Sequence, residues 1–330
     1  MNNNEKFEQI YSDILTNKKN LEHSRLNAKI EVILKWITAF SVIFIGLFIY
    51  LFLYNKFQIG ACIFLFIYIS VLTIIYFIAI RKMEKEKKKS KMEIYIDDFK
   101  QKVITLIIQS FDKNFIYSPH DEIFPESYDK AEFEKYDKYH SEDLISGYIQ
   151  GCRFKMAEIL TQYKTTYNGN PSYHTLFSGI FFMIKSSKPF TPCFYLRSDI
   201  RNKNILTLPF DINLKFGKLK VKVDSQEFEK NFDVYCTDKI IAMQLLTADI
   251  IQFFIDFQKE NNIDFEITIK NDYIFIRFMS GKIFEPANLF KSSLDKKTIF
   301  KYYNILDFTL TLVNKIIELI QNTEYGQLEE

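Results

Sequence analysis

The sequence predicts an α+β protein: an N-terminal two-helix transmembrane hairpin, then a cytoplasmic domain with a mainly antiparallel sheet packed by helices. Three observations predict it. Two apolar runs, residues 36–54 and 57–80, are separated by Asn55 and Lys56 alone and contain no Asp, Glu, Lys or Arg. Beyond Leu144, several stretches alternate apolar and polar residues, the period of a strand. Others carry apolar residues at every third or fourth position, the period of a helix face.

The first element lies before the apolar runs. Phe7, Ile10, Tyr11, Ile14 and Leu21 recur at helical spacing, so residues 1–35 read as an amphipathic cytoplasmic helix. The stripe is offered to a partner or to a second copy through Phe7, Ile10 and Ile14. The first apolar run holds 19 residues. At about 1.5 Å per residue it reaches roughly 29 Å, the thickness of a hydrocarbon core. Only a fully hydrogen-bonded backbone crosses lipid, so the pair over residues 36–80 forms a tight helical hairpin.

Arg25, Lys29 and Lys35 precede the first run; Arg81, Lys82, Lys85, Lys87, Lys88, Lys89 and Lys91 follow the second. That bias puts both termini on the cytoplasmic side, the topology of a two-span inner-membrane protein. Residues 81–112 form the basic flank and a juxtamembrane helix over 92–111, with Ile96, Phe99, Val103, Ile107 and Phe111 on one side.

Residues 113–330 form the cytoplasmic domain. Residues 121–143 hold nine acidic against three basic residues and read as a charged surface connector. Strands are predicted at 152–156 and 176–184, and a third at 219–223, where Leu219, Val221 and Val223 alternate with Lys218, Lys220 and Lys222. Asp224-Ser225-Gln226-Glu227 opens a short helix with capping-box spacing, Asp224 taking the cap. A longer helix covers 237–258. Ile263, Phe265, Ile267 and Ile269, then Ile274, Ile276 and Phe278, flank Asn271-Asp272, a hairpin signal. An amphipathic helix over 296–321 closes the chain.

Composition narrows the function. Lys and Arg total 43 against 41 Asp and Glu, a net charge of +2 without the basic excess of a nucleic-acid binder. Nine glycines form no phosphate-cradling or dinucleotide pattern. The four cysteines, Cys62, Cys152, Cys193 and Cys236, include no C-x-x-C pair and read as reduced thiols. His120 and His140 stand beside carboxylates but at no zinc spacing, so neither a metal centre nor another cofactor is expected.

The carboxylates with the best claim to chemistry are Glu142, Asp143, Glu158 and Asp238, the last two set inside apolar elements. Lys218, Lys220 and Lys222 would present a basic sheet face to an anion.

The order "SEDLISGYIQGCRFKMAEI", "LFSGIFF", "KPF", "VDSQEFEKNFDVYCTDKIIAMQLLT" and "IFEP" resembles the bacterial domain-of-unknown-function family 3137 over roughly residues 30–320. Its most specific stretch is Phe228 to Asp238. Met243 departs from the pattern, which has a basic residue there. The resemblance implies two spans ahead of a domain and supplies no catalytic residues. Together the features lead to a membrane-anchored interaction, scaffold or sensor protein with a protein partner or self-association. Two alternatives stand beside it: a metal-dependent hydrolase built on the carboxylates, and a sensor of an anionic lipid headgroup or nucleotide at the lysine ladder.

Overall fold

The computed structural model describes residues 3–53, 67–68, 70–71, 74, 89–167, 169–198, 220–286, 289–292 and 294–322. Most of the second apolar run, the basic flank over 81–88 and Lys218 lie outside the described residues. The chain divides into two compact units: residues 1–104 with 285–298, and residues 105–284 with 299–330.

The first unit is helical. α1 (Asn3–Thr16) and α2 (Lys18–Leu53) follow one another, and Phe7, Ile10, Ile14 and Leu21 are all buried, as the helical stripe requires. α2 has 36 residues, about 54 Å of helix. Among the described residues, its stretch Lys18–Leu47 is the one helix long and apolar enough by itself to cross a membrane. Trp36, Ile37, Phe40, Ile43, Phe44 and Leu47 are all exposed, Ile43 at 65%. An apolar surface of that extent is stable against lipid and costly against water.

α3 (Lys91–Phe99) starts with a complete capping box on Ser90 and Glu93 and runs antiparallel to α2. Lys91 N donates to Glu31 Oε2 at 2.9 Å, and Ser24 Oγ donates to Asp98 one helix stretch further along. A π turn at Lys100–Ile104 continues into α4 (Thr105–Phe111). The extra residue of the π turn shifts the buried face, which runs through Tyr95, Phe99, Val103, Ile104, Ile107 and Ile108 instead of including Ile96.

The second unit is a seven-stranded antiparallel sheet with helices, the α+β architecture the alternation predicts. Its strands are β1 (Ile116–Ser118), β2 (Lys138–Ile149), β3 (Cys152–Tyr167), β4 (Asn170–Ser198), β5 (Lys220–Val221), β6 (Phe232–Cys236) and β7 (Phe265–Phe278). The path is β1-β2-β3-β4-β6-β5, and β7 pairs along β4. Between Ile180 and Ile184 β4 is apolar on both faces because both are covered. Phe177 and Phe181 face a cluster with Phe133, Tyr128 and Phe275, whereas Phe182 stacks in a chain with Phe154 and Phe278. α8 (Ala248–Asn261) and α9 (Lys296–Asn322) cover the second face through Phe257 and Phe308.

Several local expectations are revised. Residues 263–278 form no hairpin: β7 is one strand, and both halves pair with β4, as Ile184↔Ile274 and Phe194↔Ile269 show. Asn271, at φ 57°, marks a kink opposite register shifts in β4, where Pro189 and Pro192 lack the N–H a regular ladder needs. The helix over 237–258 is two, α7 (Lys239–Leu245) and α8, bent by 65°. Ser225, not Asp224, caps α6 (Gln226–Asn231) by accepting from Phe228 N.

The acidic segment 121–143 is not a surface connector. It carries the short helix α5 (Pro125–Asp129), and Ile123, Tyr128, Ala131 and Phe133 are buried against the sheet.

Candidate functional site

Three of the four carboxylates singled out in the sequence come together on the second unit. Glu142 and Glu158 stand directly opposite each other on β2 and β3, which puts both side chains on the same face. A bulge follows Glu142, and Asp143 takes the left-handed conformation there at φ 62°, fully buried. Oxygens of Glu142 and Asp143 lie within 4.8 Å of each other.

The backbone that completes the site is delivered by Gly179. A Cβ at this position would lie 1.9 Å from the Phe278 carbonyl oxygen, so only glycine lets the chain leaving β7 cross here. Gly281 N then donates to Ser178 O, and the chain arrives with its amides pointed at Glu158. Glu158 Oε1 accepts from Ile283 N at 2.5 Å and from Phe284 N at 2.9 Å. Its Oε2 is buried with no hydrogen-bond partner in a side chain only 3% exposed.

The electrostatics follow from that enclosure. Burial pushes the Glu158 carboxyl up to about 7, the two amides oppose the shift, and the negative charges of Asp143 and Glu142 reinforce it. The site therefore stores a proton near neutral pH. Its neighbours are already engaged: Lys282 pairs with Glu142, and the Tyr117 hydroxyl donates to Asp143. Glu142 and Asp143 offer the hard oxygens a cation takes, but Lys282 occupies the position such a charge would fill.

His140 is exposed and only 3.5 Å from Glu142. Asp238 is elsewhere. It is the N-cap of α7, accepting from Ile240 N and Ile241 N, which accounts for a carboxylate at the start of an apolar helix.

The stripe of α1 is buried, whereas the described lysines of the ladder are exposed. Phe7, Ile10 and Ile14 are buried at 2%, 7% and 0%, because α1 folds this stripe onto the chain itself, so it is not an exposed face. Lys220 pairs with Asp233 at 2.5 Å in a two-residue strand and is exposed, as is Lys222; Lys218 lies outside the described residues.

Sequence reasoning missed a buried polar network in this unit. Arg277 donates to Glu266 at 2.7 Å and to the Tyr128 hydroxyl at 2.8 Å, and it pairs with Glu134. Arg197 donates to the same Glu266 oxygen at 3.0 Å. Both guanidinium groups lie over the Phe133 ring, at 4.3 and 4.8 Å from its centre. Burial opposes the charge of Glu134, but Arg277, Tyr128 and Thr161 hold its carboxyl below the ordinary range. The network fastens segment 121–143 to the sheet. The available signal was Arg277 itself, an arginine within the apolar run Ile274–Phe278, with Glu266 at the other end of the same strand.

Comparison with known proteins adds the following. The chain matches no curated protein. A crystal structure of the mycobacterial trehalose monomycolate transport factor A, TtfA, aligns at 10% identity and a TM-score of 0.31, over 62% of this chain and 95% of that one. A TM-score that low ties neither fold nor function. A family model matches from within β4 to within α9, narrower than the span suggested by the motifs and downstream of Glu142, Asp143 and Glu158. Over residues 175–318, then, the chain matches the model of the family described as protein of unknown function (DUF3137).

Proposed function

We propose that this protein is held in the membrane by two spans, with both termini in the cytoplasm, and that its α+β unit is an interaction or sensor module and not a catalyst. The observation that carries the membrane reading is the antiparallel return of α3 along α2. Glu31 precedes the first apolar run and Lys91 follows the second, yet they are hydrogen-bonded. A chain that leaves along α2 and is back beside it at Lys91 crosses an even number of times. Two apolar runs then mean two crossings.

Against catalysis stands the enclosure of the carboxylates. Glu158 is buried, Glu142 is paired with Lys282, Asp143 with Tyr117, and Asp238 is spent on a cap. A hydrolase needs such groups to converge on a space that admits substrate.

The test uses single-cysteine variants of the full-length chain in a cysteine-free background, labelled with a membrane-impermeant maleimide. Asn55→Cys is expected to react on intact spheroplasts, and Gln258→Cys only after permeabilisation. Labelling of Gln258→Cys from outside would overturn the topology. Co-purification from detergent then addresses the module, with a stoichiometric partner expected. A monomer that hydrolyses ester or phosphate substrates, and loses this activity in Glu158→Gln, would overturn the non-catalytic reading.

A further inference from the structure

α2 exposes an apolar stripe before it reaches the first apolar run. Leu26, Ile30 and Ile33 are 48%, 51% and 39% exposed. They lie on the side of the helix opposite Leu21, Ala28 and Glu31, all of which are buried. Toward the C-terminus the spacing of four and then three continues through Ile37, Phe40, Phe44 and Leu47, exposed as well. Toward the N-terminus the same register meets His23 and then Lys19, so the stripe begins at Leu26.

Lipid covers only part of this stripe. Trp36 opens the apolar run, and Leu26 and Ile30 precede it by about 15 Å and about 9 Å of helix. The polar layer between hydrocarbon and water is only about 5–8 Å deep on each side. A helix tilt of about 20° shortens the longer distance only to about 14 Å. Arg25, Lys29, Glu31 and Lys35 share these turns, so hydrocarbon does not reach down to them. Leu26 and Ile30 therefore need a protein surface.

The spacing says which surface. Steps of four and three repeat every seven residues, the seam of a left-handed coiled coil, with Ile30 and Ile37 at its a positions and Leu26 and Ile33 at d. Within the apolar run the pattern carries no information, because every residue there is apolar. Before it, where polar and charged residues are interspersed, it does. The charges flanking the seam are engaged within their own chain: Glu22 pairs with Arg25, and Lys29 Nζ lies 5.3 Å from the centre of the Phe290 ring. Neither requires an opposite charge across the seam, so an identical helix is a compatible partner. Two copies also enter a bilayer in the same sense, which makes their α2 helices parallel and sets each a or d residue against its own counterpart.

We propose that α2 pairs in parallel with α2 of a second copy of this chain, along a seam that starts at Leu26, Ile30 and Ile33 outside the hydrocarbon and continues into the membrane. The proposal rests on the membrane reading, which supplies the parallel sense. The two fail separately: absent pairing leaves the labelling of Asn55→Cys and Gln258→Cys as expected, and a reversed topology leaves the pairing of the seam readable.

The test is disulfide crosslinking of single-cysteine variants of the full-length chain, in a cysteine-free background, in membranes oxidised with copper phenanthroline. Leu26→Cys, Ile30→Cys and Ile33→Cys are each expected to give a linked dimer on a non-reducing gel, since counterparts across the seam stand within disulfide reach. Lys35→Cys is exposed but on the opposite side of the helix, and should give about tenfold less dimer. Light scattering of the detergent-solubilised protein is expected to give the mass of at least two chains. Ile30→Glu changes an exposed side chain outside the hydrocarbon, so it should fold and fall to the mass of one chain. Absence of dimer at all three seam positions, equal crosslinking at Lys35, or a mass unchanged by Ile30→Glu would overturn the proposal. Crosslinks from the seam to a different protein alone would overturn it too.

Discussion

Replacing Glu158 with Gln tests the buried proton directly. Glu158 has its carboxyl raised from the ordinary 4.5 to about 7, so between those values the folded chain holds a proton that the unfolded chain has released. Stability then falls as pH rises through this window and levels off above it. At about 1.4 kcal/mol per pH unit, the window is worth about 3 kcal/mol. The groups facing Glu158 are Glu142 and Asp143 from β2 and the amides of Ile283 and Phe284, with Lys282 and Tyr117 behind the two carboxylates. None of the four immediate neighbours supplies positive charge to hold the ionised form.

Glu158→Gln keeps the acceptor for the two amides and cannot ionise. The assay is thermal unfolding of the full-length chain and the variant in detergent at pH 5 and pH 8. The variant should gain on the wild type as pH rises, by roughly 6–12 °C in midpoint for a unit of this size. An infrared band of a protonated carboxyl near neutral pH should be present in the wild type and absent in the variant. Parallel pH profiles for the two proteins, or a wild type that gains on the variant with rising pH, would refute the reasoning.

Other predictions concern packing. Arg277→Met leaves Glu134 and Glu266 buried without their shared partner and should cost about 3–5 kcal/mol in denaturant unfolding. Gly179→Ala places a methyl group against the Phe278 carbonyl and should cost about 1–3 kcal/mol, read from the same curves. Ile14→Asp should lower the unfolding midpoint instead of releasing a partner from a folded protein, because Ile14 is buried in its own chain. An unchanged midpoint with loss of a bound partner would restore the sequence-based reading of α1.

Sequence by itself determined what depends on neighbours a few positions away. The first apolar run, the amphipathic stripe of α1 and the alternation in β3 and β7 are local patterns, and each appears as the expected element. Local chemistry also misleads where one signal has two uses. Asn271-Asp272 supplies the left-handed residue a hairpin needs, yet here it kinks one long strand to match the bulged β4, a choice made by pairing and not by the dipeptide.

Only the tertiary structure decided which polar residues meet. Glu142 and Glu158 are brought opposite by strand register, and the Ile283 and Phe284 amides reach Glu158 because Gly179 lets the chain cross. Arg277 and Glu266 on β7 meet Glu134 from a stretch more than a hundred residues away, and their burial rests on segment 121–143 closing over the sheet. The stripe of α1 was legible as a face, but not what covers it. Periodicity reports that a surface must be buried, and only the folded chain supplies the surface that buries it.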